Sequence, residues 1–68
     1  MNKFEWINDQ ARIGYCWNYV DEKDVHHGYV MNIGNEWAAC ADFSQPSIKY
    51  STMEEAKAVV EALIAMDN

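Results

Sequence analysis

Basic residues are scarce in this chain, and their scarcity limits the partners that it can bind. Five lysines and arginines stand against eleven aspartates and glutamates in 68 residues, which gives a net charge of −6. A field of this sign repels the phosphates of DNA and RNA, so the charge argues against direct nucleic-acid binding. We therefore expect a protein partner with a basic surface.

Long apolar runs are also missing. No run approaches the roughly 18 apolar residues of a membrane-spanning helix, and the N-terminal residues lack the apolar core of a signal peptide. These features predict a cytoplasmic protein that does not enter a membrane.

A chain of 68 residues forms one domain with a small core. Half of its residues are apolar, including three Trp, four Tyr and two Phe, which argues against disorder.

Residues arranged for catalysis or metal binding are few. The sequence has no G-x-S-x-G, no phosphate-binding glycine loop and no paired carboxylates that indicate a cleft, so we expect neither an enzyme nor a cofactor. Cys16 and Cys40 do not form a C-x-x-C motif, and strand geometry places them about 12 Å apart, too far for a disulfide. His26 and His27 are adjacent in a strand and point to opposite faces, which argues against a shared metal ion.

The segment Ser51–Met66 carries the strongest local signal, and it predicts a helix. Ser51 with Glu54, and Thr52 with Glu55, both have the spacing of a capping box, in which a hydroxyl and a glutamate satisfy the first amides of the helix. The predicted helix is apolar on one side only. That side consists of Met53, Ala56, Val60, Leu63 and Ile64.

Alternating apolar and polar residues precede the helix and predict strands. Pro46 interrupts them because proline has no amide to donate. The predicted fold class is α+β: an antiparallel meander of three to five strands with one C-terminal helix packed on one face, in two layers. The predicted strands are Lys3–Ile7, Arg12–Val20, His27–Ile33 and Glu36–Phe43, with Ser47–Tyr50 as a short strand or edge segment.

The turn between the third and fourth strands decides which side chains share a face. A two-residue turn of Gly34 and Asn35 would place Trp37 opposite Asn32 and mix the two faces. A three-residue turn that also includes Ile33 would place Trp37 opposite Met31. We choose the three-residue turn because it gathers the large apolar side chains on one face.

The same reasoning favours a five-residue loop after Val20, with Trp17 beside Tyr29. Two alternatives for the helix-covered face stay open. In the first, the helix covers an aromatic core of Tyr15, Trp17, Tyr29, Met31, Trp37 and Phe43. In the second, it covers a face of small residues, and the uncovered aromatic face could bind a partner or a second copy as a homodimer. The small residues are Gly14, Cys16, Gly28, Val30, Ala38 and Cys40.

The candidate partner-binding residues are acidic. Asp21, Glu22 and Asp24 share one loop, and Glu36 and Asp42 belong to the face of small residues. The chosen register also places Asp42 opposite His26, a pairing typical of polar cross-strand contacts. The alternative for all of these acids is a surface that only keeps the protein soluble.

A resemblance covers Gly28–Ile64. Its segments G-Y-V, N-E-W-A-A and K-Y-S-T-M-E-E-A-K-A-V-V-E-A-L-I resemble small phage and prophage proteins, in which W-x-A precedes a T-x-E-E-A-K helix. This resemblance implies a small accessory protein, in some cases an inhibitor of a host enzyme or defence complex. The T-x-E-E-A helix start is also similar to that of the HicB-like antitoxins, which implies the alternative role of neutralising a toxin.

Overall fold

The computed structural model describes residues 3–41 and 47–67 of the chain. The described residues form an antiparallel sheet of five strands in the order β1-β2-β3-β4-β5, followed by one helix. A short 3-10 turn, Gln10–Arg12, lies between the first two strands. The elements are β1 (Phe4–Asn8), β2 (Cys16–Asp21), β3 (His26–Ile33), β4 (Glu36–Cys40), β5 (Ile48–Tyr50) and α1 (Met53–Asp67).

Helix α1 packs on one face of the sheet, over β3, β4 and β5. Two layers result, and the predicted α+β class is confirmed. Apolar side chains that lie between the layers form a small core, because one helix and one sheet have only a single pair of faces to bury. The buried residues of this core are Val30, Ala39, Ala56, Val60 and Ile64. Four further apolar residues of the strands are also buried: Cys16, Val20, Ala38 and Cys40.

The turn between β3 and β4 is shorter than predicted. Ile33 pairs with Glu36, so Gly34 and Asn35 form a two-residue hairpin and Trp37 lies opposite Asn32. Gly34 has a φ of 63°, a left-handed conformation that glycine adopts without steric cost and that such hairpins need. The predicted three-residue turn was therefore wrong.

The register between β2 and β3 also differs from the prediction. Trp17 lies opposite Val30, not Tyr29, and the register shifts between Tyr19 and Val20. The irregularity leaves one extra residue in β3, as in a β-bulge. Each face of the sheet consequently carries both large and small side chains, and neither predicted assignment of the helix-covered face was right.

Gly28 explains why the helix-covered face is mixed. A Cβ atom at Gly28 would lie 2.6 Å from the carbonyl oxygen of Cys40 and 2.9 Å from Cγ1 of Val60. The helix thus packs closely on the sheet at a position where β3 has no side chain. Trp17 and Trp37, on the same face, pack at the margins of the core and stay half-buried.

Two strands are shorter than predicted. The segment Arg12–Val20 becomes a strand only at Cys16, because Asp9 caps the 3-10 turn with its side chain and Gly14 follows with a φ of 83°. At the other end, β4 stops at Cys40. The predicted strand residue Phe43 lies outside the described residues.

The start of α1 uses one of the two predicted capping boxes. The hydroxyl of Thr52 accepts a hydrogen bond from the Glu55 amide at 3.2 Å. The Glu55 carboxylate accepts from the amide and the hydroxyl of Ser51, at 3.4 and 3.3 Å. Of the predicted apolar side, Ala56, Val60 and Ile64 are buried, whereas Leu63 is 41% exposed.

Among the described residues, no helix has the length and apolar character needed to cross a membrane.

Candidate protein-binding surface

The loop between β2 and β3 is held in shape by the side chain of Asp21. Its Oδ1 accepts hydrogen bonds from the amides of Lys23 at 2.8 Å and Val25 at 3.0 Å. The backbone adds two bonds, from the Asp24 amide to the Asp21 carbonyl and from the Asp21 amide to the Val25 carbonyl, each at 3.0 Å. An aspartate that bonds to amides shortly after it along the chain forms an Asx turn. The loop therefore has one defined conformation.

His27 completes this arrangement from β3. Its Nε2 lies 2.8 Å from Oδ2 of Asp21. The hydrogen bond from His27 is the main cause that lowers the pKa of Asp21 to about 2, and the bonds from the Val25 and Lys23 amides lower it further. The ring of His27 also meets the ring of Phe4 edge-on, with centroids 5.1 Å apart. Asp21 thus stays charged and engaged with its own chain over nearly the whole pH range.

The predicted acidic residues are distributed over two ends of the sheet. Glu22 and Asp24 are exposed on the loop that Asp21 shapes, and Asp24 has a φ of 63°. Glu36 begins β4, next to the hairpin at the opposite end of β3. Asp42 lies outside the described residues, and so does its predicted pairing with His26. The structure brings Asp21, Glu22 and Asp24 together and places Glu36 far from them.

A surface cavity lies beside the acidic loop. It has a volume of about 300 Å³ and is lined by Lys3, Phe4, Glu5, Asp21 and Glu22. Its walls combine the ring of Phe4 with three carboxylates and one ammonium group, that of Lys3, so negative charge predominates. An aliphatic chain that ends in a positive charge, as in lysine or arginine, matches this lining, because the chain packs on the ring and the charge meets the acids.

Four aromatic side chains form a second surface feature, which we call the aromatic cluster: Phe4, Trp6, Trp17 and Tyr19. The rings of Phe4 and Tyr19 stack with centroids 4.9 Å apart, and Trp6 tilts against Tyr19 at 4.7 Å. All four side chains are half-buried, because they belong to β1 and β2, whereas the helix lies over β3 to β5. Alternation places Phe4 and Trp6 on one side of β1, but the sequence analysis predicted no register between β1 and β2, so it did not predict the cluster.

Charged groups of the helix border the aromatic cluster. The Nζ of Lys57 lies 4.3 Å from the ring centroid of Trp17 and 5.3 Å from that of Trp6. Such placement of an ammonium over indole rings is a cation–π interaction. The indole N–H of Trp6 donates to Oε2 of Glu61 at 2.8 Å. These contacts attach the outer part of the helix to β1 and β2.

The cysteines and histidines form no further site among the described residues. Cys16 and Cys40 are buried thiols, and burial is the main cause that raises the pKa of Cys16. Within residues 3–41 and 47–67, no three His, Cys, Asp or Glu side chains cluster so as to hold a metal ion.

Comparison with known proteins gives no relative: no family model, curated protein or solved structure matches the chain.

Proposed function

We propose that the chain is a small acidic protein-binding module. In this proposal it is a cytoplasmic inhibitor, encoded by a phage or prophage, that occupies the basic, nucleic-acid-binding surface of a host protein such as a defence complex. The net charge of −6 supports a basic partner. The resemblance of Gly28–Ile64 to small phage proteins supports the inhibitor role.

The observation that carries the proposal is the ordered acidic loop. Asp21 fixes the loop through bonds to its own backbone, so Glu22 and Asp24 are presented to solvent in defined positions. A preformed loop loses little conformational freedom on binding, and less of the binding free energy is spent on ordering it. The neighbouring cavity, lined by Phe4 and Glu5 among others, extends the same surface.

The test begins with capture of partners from lysate of a bacterial host, followed by competition between the protein and nucleic acid for the captured partner. We expect the partner to bind nucleic acid and the wild-type protein to displace it. Association should slow as the salt concentration rises from about 50 to 500 mM, because screening shortens the reach of complementary charges.

Two charge variants locate the interface. Glu22→Lys with Asp24→Lys reverses the loop and leaves Asp21 to hold its shape. Glu54→Lys combined with Ala58→Lys and Ala62→Lys makes the same change in net charge on the exposed side of the helix. We expect association to slow about tenfold or more in the loop variant and far less in the control. Equal slowing in both would show that net charge acts without a specific site, and a partner that does not bind nucleic acid would contradict the inhibitor role.

The alternative role as a HicB-like antitoxin stays a prediction. No contact among the described residues favours it over the acidic inhibitor.

A further inference from the structure

Strand β1 lies at one edge of the sheet, and hydrogen bonding shows which of its backbone groups point outward. The Asp9 amide donates to the Cys16 carbonyl at 2.9 Å, directly after β1. In an antiparallel ladder, residues that bond to the neighbouring strand alternate with residues that point away from it. With β1 paired to β2 in one continuous register, the outward N–H and C=O groups are those of Phe4, Trp6 and Asn8.

The opposite edge of the sheet, strand β5, has fewer outward backbone groups with which another strand could pair. Strand β5 has three residues, and all three are in register with β4. Because Ile33 and Glu36 close the two-residue hairpin as a hydrogen-bonded pair, the alternate β4 residues Trp37 and Ala39 bond toward β5, to Tyr50 and Ile48. The alternation then leaves Lys49 as the residue of β5 whose backbone points outward. A lysine in the middle of a short edge strand discourages pairing with another strand. Among the described residues, β1 is thus the longer edge and the one open to a further strand.

We propose that a second copy of this chain pairs with β1, antiparallel and related by a two-fold axis, so that two five-stranded sheets become one. Homodimers of this symmetry bring the same surface of both copies together. Only residues with outward backbone groups can bond across the axis, and a stable pair needs at least two of Phe4, Trp6 and Asn8 to do so. The registers that meet this condition are centred on Glu5, on Trp6 or on Ile7.

Charge distinguishes the three registers. Centring on Glu5 places Glu5 opposite Glu5 of the second copy, and centring on Ile7 places Glu5 opposite Asp9. Both registers oppose like charges, which destabilises a strand pair. Centring on Trp6 instead places Lys3 opposite Asp9, and Glu5 opposite Ile7, at both ends of the pair. The sequence of β1 and its flanks therefore selects the register centred on Trp6.

The same register buries side chains that the single copy leaves half-exposed. Phe4 and Trp6 point to the helix side of the sheet, and the two Trp6 residues become neighbours across the axis. Aromatic pairs across antiparallel strands contribute favourably to sheet stability. On the other side, Ile7 is 41% exposed in the single copy and gains the methylene groups of Glu5 as a neighbour.

Cysteine cross-linking tests the register. Chains carrying Glu5→Cys and chains carrying Ile7→Cys are mixed and mildly oxidised, and each is also oxidised alone. We expect disulfide-linked dimers mainly in the mixture, because residues 5 and 7 are opposite each other. Two copies of residue 5 would lie about 8 Å apart, from strand spacing and rise, beyond the reach of a disulfide. The unsubstituted chain controls for Cys16 and Cys40, which are buried.

Sedimentation measures the dimer without cross-links. We expect Lys3→Glu to weaken dimerisation about tenfold, since it opposes two acids at each end of the pair. Lys23→Glu, in the exposed loop, makes the same change in net charge and should leave the dimer unaltered. If the chain remains monomeric at millimolar concentration, the proposal is overturned. Strand β1 would then be open only to pairing with a strand of another protein. Efficient cross-linking of Glu5→Cys alone overturns the register.

Discussion

Gly28 of β3 and Val60 of α1 are in close contact: a Cβ atom added to the glycine would lie 2.9 Å from Cγ1 of the valine, and 2.6 Å from the carbonyl oxygen of Cys40. Real Cβ atoms do not come so near to other heavy atoms, so the helix or the side chain of Val60 must move, and the Cys40 carbonyl must shift as well. Val60 itself is fully buried, which leaves it little room to turn. The helix can therefore pack this closely over β3 only because Gly28 has no side chain.

Gly28→Ala should accordingly destabilise the protein by about 2 kcal/mol, the usual cost of overpacking a core. Denaturant unfolding measures this loss. Adding Val60→Ala removes Cγ1, and the double variant should lose less stability than the sum of the two single losses. Strict additivity would contradict the contact with Val60 and attribute the whole effect to the nearby Cys40 carbonyl.

The strand order and the helix could be predicted from the sequence, whereas the register could not. Alternation along β3 and β4 is the same whether the turn has two residues or three, so the pattern alone leaves both turns possible. We chose the turn that gathers large side chains on one face. The structure instead needs Gly28 and Val30 under the helix, and only tertiary packing shows that requirement.

The candidate site was predictable in part. The acids of the loop were identified from their order in the chain, but Asp21 was grouped with Glu22 and Asp24 as if all three faced a partner. Its role in holding the loop has a local signal, since an aspartate at the start of a polar loop often bonds to amides just after it. The aromatic cluster had no such signal, because it depends on the register between β1 and β2.

Leu63 and Ile64 offer a matched test of which side of the helix is buried. They are adjacent isomers, yet Ile64 is 7% exposed and Leu63 is 41% exposed. We expect Ile64→Ala to cost about 2–4 kcal/mol, because it opens a cavity in the core. Leu63→Ala should cost about 1 kcal/mol or less, since much of its surface already meets water. Equal losses in denaturant unfolding would mean that the helix is rotated from the position described.

Thr52 and Ser51 differ in how they contribute to the helix start. Thr52→Ala should cost about 1 kcal/mol, because the Glu55 amide loses its side-chain acceptor. Ser51→Ala should cost less, since the Ser51 amide can still donate to Glu55. Thermal unfolding of both variants checks the order. A larger loss in Ser51→Ala would indicate that its hydroxyl is the principal cap.

Asp21 makes the stability of the fold depend on pH in the acid range. Its pKa is about 2 in the folded protein, below its ordinary value of 3.8, chiefly because of the hydrogen bond from His27. A carboxyl group with a lowered folded pKa stabilises the fold above its unfolded pKa and loses that contribution as pH falls through the folded value. Stability should therefore decline between about pH 4 and pH 2.

Asp21→Asn removes the titrating group, so the variant should be less stable than the wild type near neutral pH, and the difference should shrink toward pH 2. The measurement is denaturant unfolding at a series of pH values. Glu22→Gln, one residue further in the same loop, is the control for the loss of one negative charge. A constant difference between wild type and Asp21→Asn from neutral pH down to acid would show that Asp21 stabilises the loop without titrating in this range.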